Sequence, residues 1–130
     1  MEEISMANTS GVKLVGADKS GGQLMSITLQ LLNQNEIKIF RSLVSGETES
    51  FCPKCQDPFT HADTYYLRID NPLAPGGMLG MEVATPQIKC DHCGEVINLS
   101  MVDYTPFKSA FQFVQNLRNE YRKRLNKNKG

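Results

Sequence analysis

The cysteine pattern restricts the folding of this chain more than any other feature. Cys52-Pro53-Lys54-Cys55 and Cys90-Asp91-His92-Cys93 are two C-x2-C pairs separated by 34 residues, and they use all 4 cysteines of the sequence. Two intervening residues let both thiolates of a pair point at one centre from a tight turn, and two such turns complete a tetrahedron. A single pair would say little. Two pairs with none left over predict one structural zinc ion held by Cys52, Cys55, Cys90 and Cys93. The interval exceeds the roughly 15–20 residues of the simplest form of this signature, which a strand–loop–strand excursion between the turns explains.

The intervening residues read that way. Tyr65-Tyr66-Leu67-Arg68-Ile69 has strand character, Asn71-Pro72-Leu73-Ala74-Pro75-Gly76-Gly77 is a loop signal, and Leu79 to Ala84 is the expected return strand, with Met81 and Val83 inward. After the second pair, Ile97, Leu99 and Met101 alternate with Asn98 and Ser100, predicting a further strand. Gly94 follows Cys93 and can turn with positive φ, whereas the first pair has Gln56 there and its turn is expected to be less regular. Two metal-gripping loops that each lead into a strand resemble the zinc-ribbon group. The resemblance covers about Phe51 to Val102 and rests on Cys52, Cys55, Cys90, Cys93 and Gly94. It implies a structural zinc and leaves function open, because zinc ribbons occur in transcription, translation, replication and many accessory proteins.

The flanks complete an α+β architecture. Val12 to Val15, a turn at Lys19-Ser20-Gly21-Gly22, and Met25, Ile27, Leu29 and Leu31 in alternation predict a hairpin. Asn33 with Glu36 has the spacing of a capping arrangement, followed by Ile37, Phe40, Leu43 and Val44 on one helical face and Gly46 as a stop. At the other end, Thr105 as cap and Pro106 at the first helical position open a helix. Its stripe is Phe107, Ala110, Phe111, Val114, Leu117, Tyr121 and Leu125, widened by Phe113. The expected organisation is a disordered 1–10, a hairpin–helix unit 11–50, the ribbon 51–104 and a basic amphipathic helix 105–130, all in one compact domain. No internal repeat stands out.

Catalysis is not expected. Four thiolates fill a tetrahedral sphere and leave no position for water or substrate. The two histidines, His61 and His92, form no His-x-Glu or His-Glu-x-x-His pattern, and Gly21-Gly22 and Gly76-Gly77 read as turn glycines. Disulfides and an iron centre of the rubredoxin type are the alternatives for the cysteines, the second carrying an electron-transfer function with it. MEEISMANTS lacks an apolar run, and no stretch matches a membrane span, so a cytoplasmic location with reduced thiols and no membrane partner is expected.

Formal net charge is zero, but unevenly distributed. Residues 105–130 carry Lys108, Arg118, Arg122, Lys123, Arg124, Lys127 and Lys129 against Glu120 alone, a net +6, and the first 104 residues carry −6. Such asymmetry points to an anionic partner. The expected function is therefore a non-enzymatic binding module contacting DNA or RNA through Lys54, Arg118, Arg122, Lys123, Arg124, Lys127 and Lys129, with Tyr65 or Tyr66 available for stacking. The alternative is an adaptor or inhibitor docking on a larger protein, for which the apolar Pro72–Leu79 loop is the natural contact.

Overall fold

A computed structural model of the chain describes residues 11–20, 24–44, 46, 51–58, 64–73 and 81–129, without the side chains of 19, 20, 24 and 126–129. The expectations for residues 1–10, for His61 and for 74–80 of the apolar loop fall outside these residues. Among these residues, six antiparallel strands form one sheet: β1 (Val12–Ser20), β2 (Leu24–Leu31), β3 (Thr64–Asp70), β4 (Val83–Lys89), β5 (Val96–Asn98) and β6 (Val102–Asp103). Their order is β1-β2-β3-β4-β5, with β6 also paired to β4. Helix α1 (Gln34–Leu43) lies between β2 and β3 in sequence, and α2 (Lys108–Lys129) follows β6. Because β2 pairs directly with β3, the hairpin–helix unit and the cysteine-bearing segment share this one sheet.

Period-two alternation makes the sheet two-faced. Ile27, Leu29 and Leu31 of β2, Tyr65, Leu67 and Ile69 of β3, and Ala84, Pro86 and Ile88 of β4 are all buried. They share a core with Phe40 and Val44 of the α1 segment and with Phe107, Ala110, Phe113, Val114 and Leu117 of the α2 segment. The other face carries Ser26, Thr28, Gln30, Tyr66, Arg68, Thr85 and Gln87. The hairpin runs to Ser20 opposite Leu24, beyond the turn expected at Lys19-Ser20, and a register shift between Leu14 and Gly16 bulges β1 at Val15. Tyr65, a proposed stacking residue, packs edge-on to Phe40 at 5.1 Å and accepts hydrogen bonds from Arg41.

The return strand begins at Val83, and Met81, expected within it and inward, precedes it and is exposed. The expected strand through Met101 is split in two for a reason visible in β4. Asn98 faces Gln87 and Val102 faces Ala84, so Thr85 and Pro86 oppose three residues, Leu99, Ser100 and Met101. Pro86 has no N–H for the ladder, and only its carbonyl is used, accepting from Leu99 at 2.9 Å. The extra residue reverses the alternation, placing Val102 on the core side and leaving Met101 55% exposed.

Helix α1 begins at its expected cap, whereas α2 does not. Asn33 caps α1 by accepting the Asn35 N–H at 2.7 Å, while Glu36 turns away from its own helix. Glu36, Phe40 and Val44 form the buried line with Ile37 and Ile39 beside it, and Leu43 is exposed. Thr105 does not open α2: its N–H and hydroxyl both donate to Asp103, and the Phe107 N–H donates to the Tyr104 carbonyl, closing a turn. The Phe107 carbonyl is the first in the α2 ladder, accepting from Phe111. Phenylalanine offers no capping oxygen, and the Glu36 carboxylate supplies one to the Ser109 N–H. Farther along, Arg118 donates to both carboxylate oxygens of Glu82 and to the Pro72 carbonyl, and the Tyr104 hydroxyl also donates to Glu82.

Candidate metal centre

The Sγ atoms of Cys52, Cys55, Cys90 and Cys93 all lie within 4.8 Å of one another, with Cys52–Cys93 at 3.5 Å and Cys55–Cys90 at 3.8 Å. A tetrahedron of sulfurs about 2.3 Å from a central ion has edges of about 3.8 Å, so the four thiols are positioned to hold one metal ion. All four are free cysteines, and Cys52 and Cys90 are buried.

Each pair sits on the same turn. The Cys52 N–H donates to the Asp57 carbonyl and the Gln56 N–H to the Cys52 carbonyl, both at 2.9 Å. In the second turn the Cys90 N–H donates to the Glu95 carbonyl and the Gly94 N–H to the Cys90 carbonyl, both at 2.8 Å. The first turn is thus as regular as the second, contrary to expectation. Gln56 adopts φ 67° where Gly94 has φ 81°, and its side chain donates to the Pro53 carbonyl at 3.2 Å. The second turn is also the β4–β5 connection, bounded by Lys89 opposite Val96, which sets it at the end of the sheet.

The two turns are reciprocally joined. Lys54 Nζ approaches Glu95 Oε1 at 4.0 Å, and His92 Nε2 lies 3.1 Å from Asp57 Oδ2. The third residue of each turn is a base and the sixth an acid, so the pseudo-twofold arrangement follows from Cys-Pro-Lys-Cys-Gln-Asp and Cys-Asp-His-Cys-Gly-Glu. This six-residue repeat was present in the sequence and identifies Asp57 and Glu95 as members of the site. The pairs are exposed, so their role is orientation more than stability.

The electrostatics of the thiols call for a cation. Backbone N–H groups of Cys55 and Lys54 help bring the Cys52 thiol down to about 7. Cys55 receives the Asp57 N–H, yet burial and the neighbouring Cys52, Cys93 and Cys90 sulfurs push it up to about 12. Cys93 receives the Glu95 N–H and is raised by burial and by Cys52. The Cys52 thiolate forms readily while those of Cys55 and Cys93 are suppressed, a conflict that a divalent ion at the centre removes as it displaces the protons.

The basic residues named from sequence occupy different settings. Lys54 belongs to the metal turns. Arg118 is withdrawn from any surface: its side chain is 11% exposed, 2.7 Å from Glu82, whose own side chain is 18% exposed. The guanidinium holds the Glu82 carboxyl below the usual carboxylate range, and burial pushes the Tyr104 phenol up. Arg122 and Lys123 are exposed, Arg124 is half-buried, and Lys123 lies 3.8 Å from Glu120. Lys127 and Lys129 occupy the last turns of α2. No helix among the described residues is long and apolar enough to cross a membrane. In comparisons with family models, curated proteins and solved structures, the chain matches none.

Proposed function

We propose that the protein is a non-enzymatic module stapled by one zinc ion, and that the outer half of α2 contacts the phosphates of a nucleic acid. One observation carries this reading. Asn119, Tyr121, Arg122, Lys123 and Leu125 are all exposed, and beyond Arg118 the sequence carries Arg122, Lys123, Arg124, Lys127 and Lys129 with no acidic residue after Glu120. Zinc is favoured by a donor set of four thiolates at tetrahedral spacing, and the same set leaves no open position for a reacting water. Neutralising about four phosphates makes affinity fall with salt at a log–log slope of roughly −3 to −4. The test is binding to labelled DNA and RNA across a salt series, beside a protein truncated after Glu120. Loss of salt-dependent binding on truncation is the expected result; no binding by either form at low salt removes the reading.

A second reading, docking on a larger protein, has its own observation. Tyr121 and Leu125 continue the buried line of Val114 and Leu117, yet are 42% and 44% exposed. An exposed apolar i, i+4 pair on a helix suits a groove on a partner. Copurification of a stoichiometric protein that is lost on Tyr121→Ala/Leu125→Ala substitution would favour it.

A further inference from the structure

We infer that the protein forms a twofold dimer in which β1 pairs antiparallel with β1 of a second copy, in the register that sets Leu14 opposite the partner's Ala17. β1 is an edge of the sheet, and among the described residues no strand pairs with its outer side. Lys13 through Asp18 are all exposed, Gly16 and Ala17 included, so this stretch of the edge stands open to solvent.

The bulge at Val15 decides what can pair there. The Gly11 carbonyl accepts the Leu32 N–H, so Gly11 faces the β2 side, and by alternation Val12 and Leu14 turn their backbone groups outward. At the other end the Met25 carbonyl accepts the Asn71 N–H, so Met25 faces β3. Its partner Lys19 therefore turns its backbone outward, as does Ala17. The step from Leu14 to Ala17 is one residue longer than the outward steps on either side of it. A regular strand presents its groups at every second residue and falls out of step across that gap. A second copy running antiparallel has the same gap in the same place. Val12 then meets the partner's Lys19 and Leu14 the partner's Ala17, and each outward pair exchanges both of its hydrogen bonds.

The side chains suit the same register. Leu14 and Ala17 lie opposite buried Leu29 and Ile27, so both belong to the core face, where Leu14 is 40% exposed and the partner strand would cover it. On the other face Lys13 comes to lie against the partner's Asp18, twice by symmetry, in the non-hydrogen-bonded pairs whose side chains approach most closely. Neither has an ion-pair partner among the described residues. Val15, 44% exposed, faces the partner's Gly16, and a Cβ at Gly16 meets nothing within 4 Å, so there is room for it.

The test is sedimentation equilibrium of the full metal-loaded chain at low ionic strength, from about 1 μM to about 1 mM, the range suited to a contact of this small size. A monomer–dimer equilibrium is the expected result. Ala17→Pro removes an N–H that faces the partner and none that bonds to β2, so it should keep the wild-type circular dichroism and weaken dimerisation at least about tenfold. Lys13→Glu and Asp18→Lys each set like charges face to face and should each weaken it by about the same factor. Lys13→Glu/Asp18→Lys together restore opposite charges and should recover the wild-type constant, which decides the matter even where Ala17→Pro fails to fold. A monomer throughout the range overturns the inference, as does a dimer indifferent to the single charge reversals or a double reversal that recovers nothing. None of these outcomes touches the nucleic-acid reading.

Discussion

Glu36, in the first turn of α1, accepts the backbone N–H of Ser109, in the first turn of α2, at 2.6 Å, so one helix caps the other across 73 residues of sequence. The fit is close: a Cβ on Gly11, at φ +110°, would lie 2.6 Å from Ser109 Oγ and 2.9 Å from Asn33 Cβ. Burial raises the Glu36 carboxyl, and its Oε1 has no hydrogen-bond partner. A raised folded-state value means that the stabilising contribution is complete below the unfolded value and is lost as pH rises through the folded one. Glu36→Gln keeps an acceptor without the charge. Its melting temperature should therefore improve relative to the wild type as pH rises from about 4 to 8, and a constant difference would remove the buried-charge account. Glu36→Ala, which removes the cap, should cost about 1 kcal/mol.

Arg118 is predicted to be structural. Arg118→Ala leaves Glu82 buried beside Tyr104 without its cation, and should cost about 3 kcal/mol in chemical denaturation. The Glu82 value is lowered in the folded state, so the pair stabilises above the unfolded carboxylate value, and that stability is lost as pH falls through the folded one. Acid weakening should accordingly be shallower in Arg118→Met than in the wild type. An Arg118→Ala protein of unchanged stability but reduced nucleic-acid binding would return this residue to the contact surface.

The left-handed residue of each metal turn gives opposite predictions. Gln56→Gly relieves a side chain at φ 67° and should raise the stability of the metal-loaded protein by about 0.5–1 kcal/mol. Gly94→Ala imposes the same strain at φ 81° and should lower it by about 1 kcal/mol. Denaturant midpoints of the two variants, measured side by side, show whether the turns are as alike energetically as they are in hydrogen bonding.

Metal analysis should find one zinc per chain, colourless in visible light; a red protein would revive the iron alternative. Structural sites of this kind supply an apparent ~10–16 kcal/mol at pH 7, comparable to the stability of a whole domain. Chelation or Cys90→Ser should therefore unfold the segment around β4 and β5, read as lost amide-exchange protection at Ile88 and Ile97. Retained protection in Cys90→Ser would show that the sheet stands without its metal.

The parts of the fold legible in sequence were those written in local periodicity. The alternation of Ile27, Leu29 and Leu31 and the line of Phe107, Ala110, Val114 and Leu117 both emerge as core. The cysteine spacing placed four sulfurs together. What escaped local reading depended on a distant partner. Met101 is outward because Pro86, on the neighbouring strand, forces an extra residue into the ladder. Glu36 has the spacing of a cap for its own helix but serves another. Arg118 resembles its basic neighbours until Glu82 is placed beside it. The matched hexapeptides of the metal turns were readable, through their base at the third position and acid at the sixth.

The pairing of β3 with β4 has a kinetic consequence for metal capture. Along the chain, 34 residues separate Cys55 from Cys90. Once Thr64 is paired with Lys89, the path from Cys55 crosses the ladder after 8 intervening residues and arrives beside Cys90. By the logarithmic cost of loop closure, that shortcut is worth roughly 1 kcal/mol, or about a tenfold rise in the effective concentration of one cysteine turn at the other. Zipping the hairpin and chelating the ion therefore promote each other, and whichever happens first shortens the search for the second.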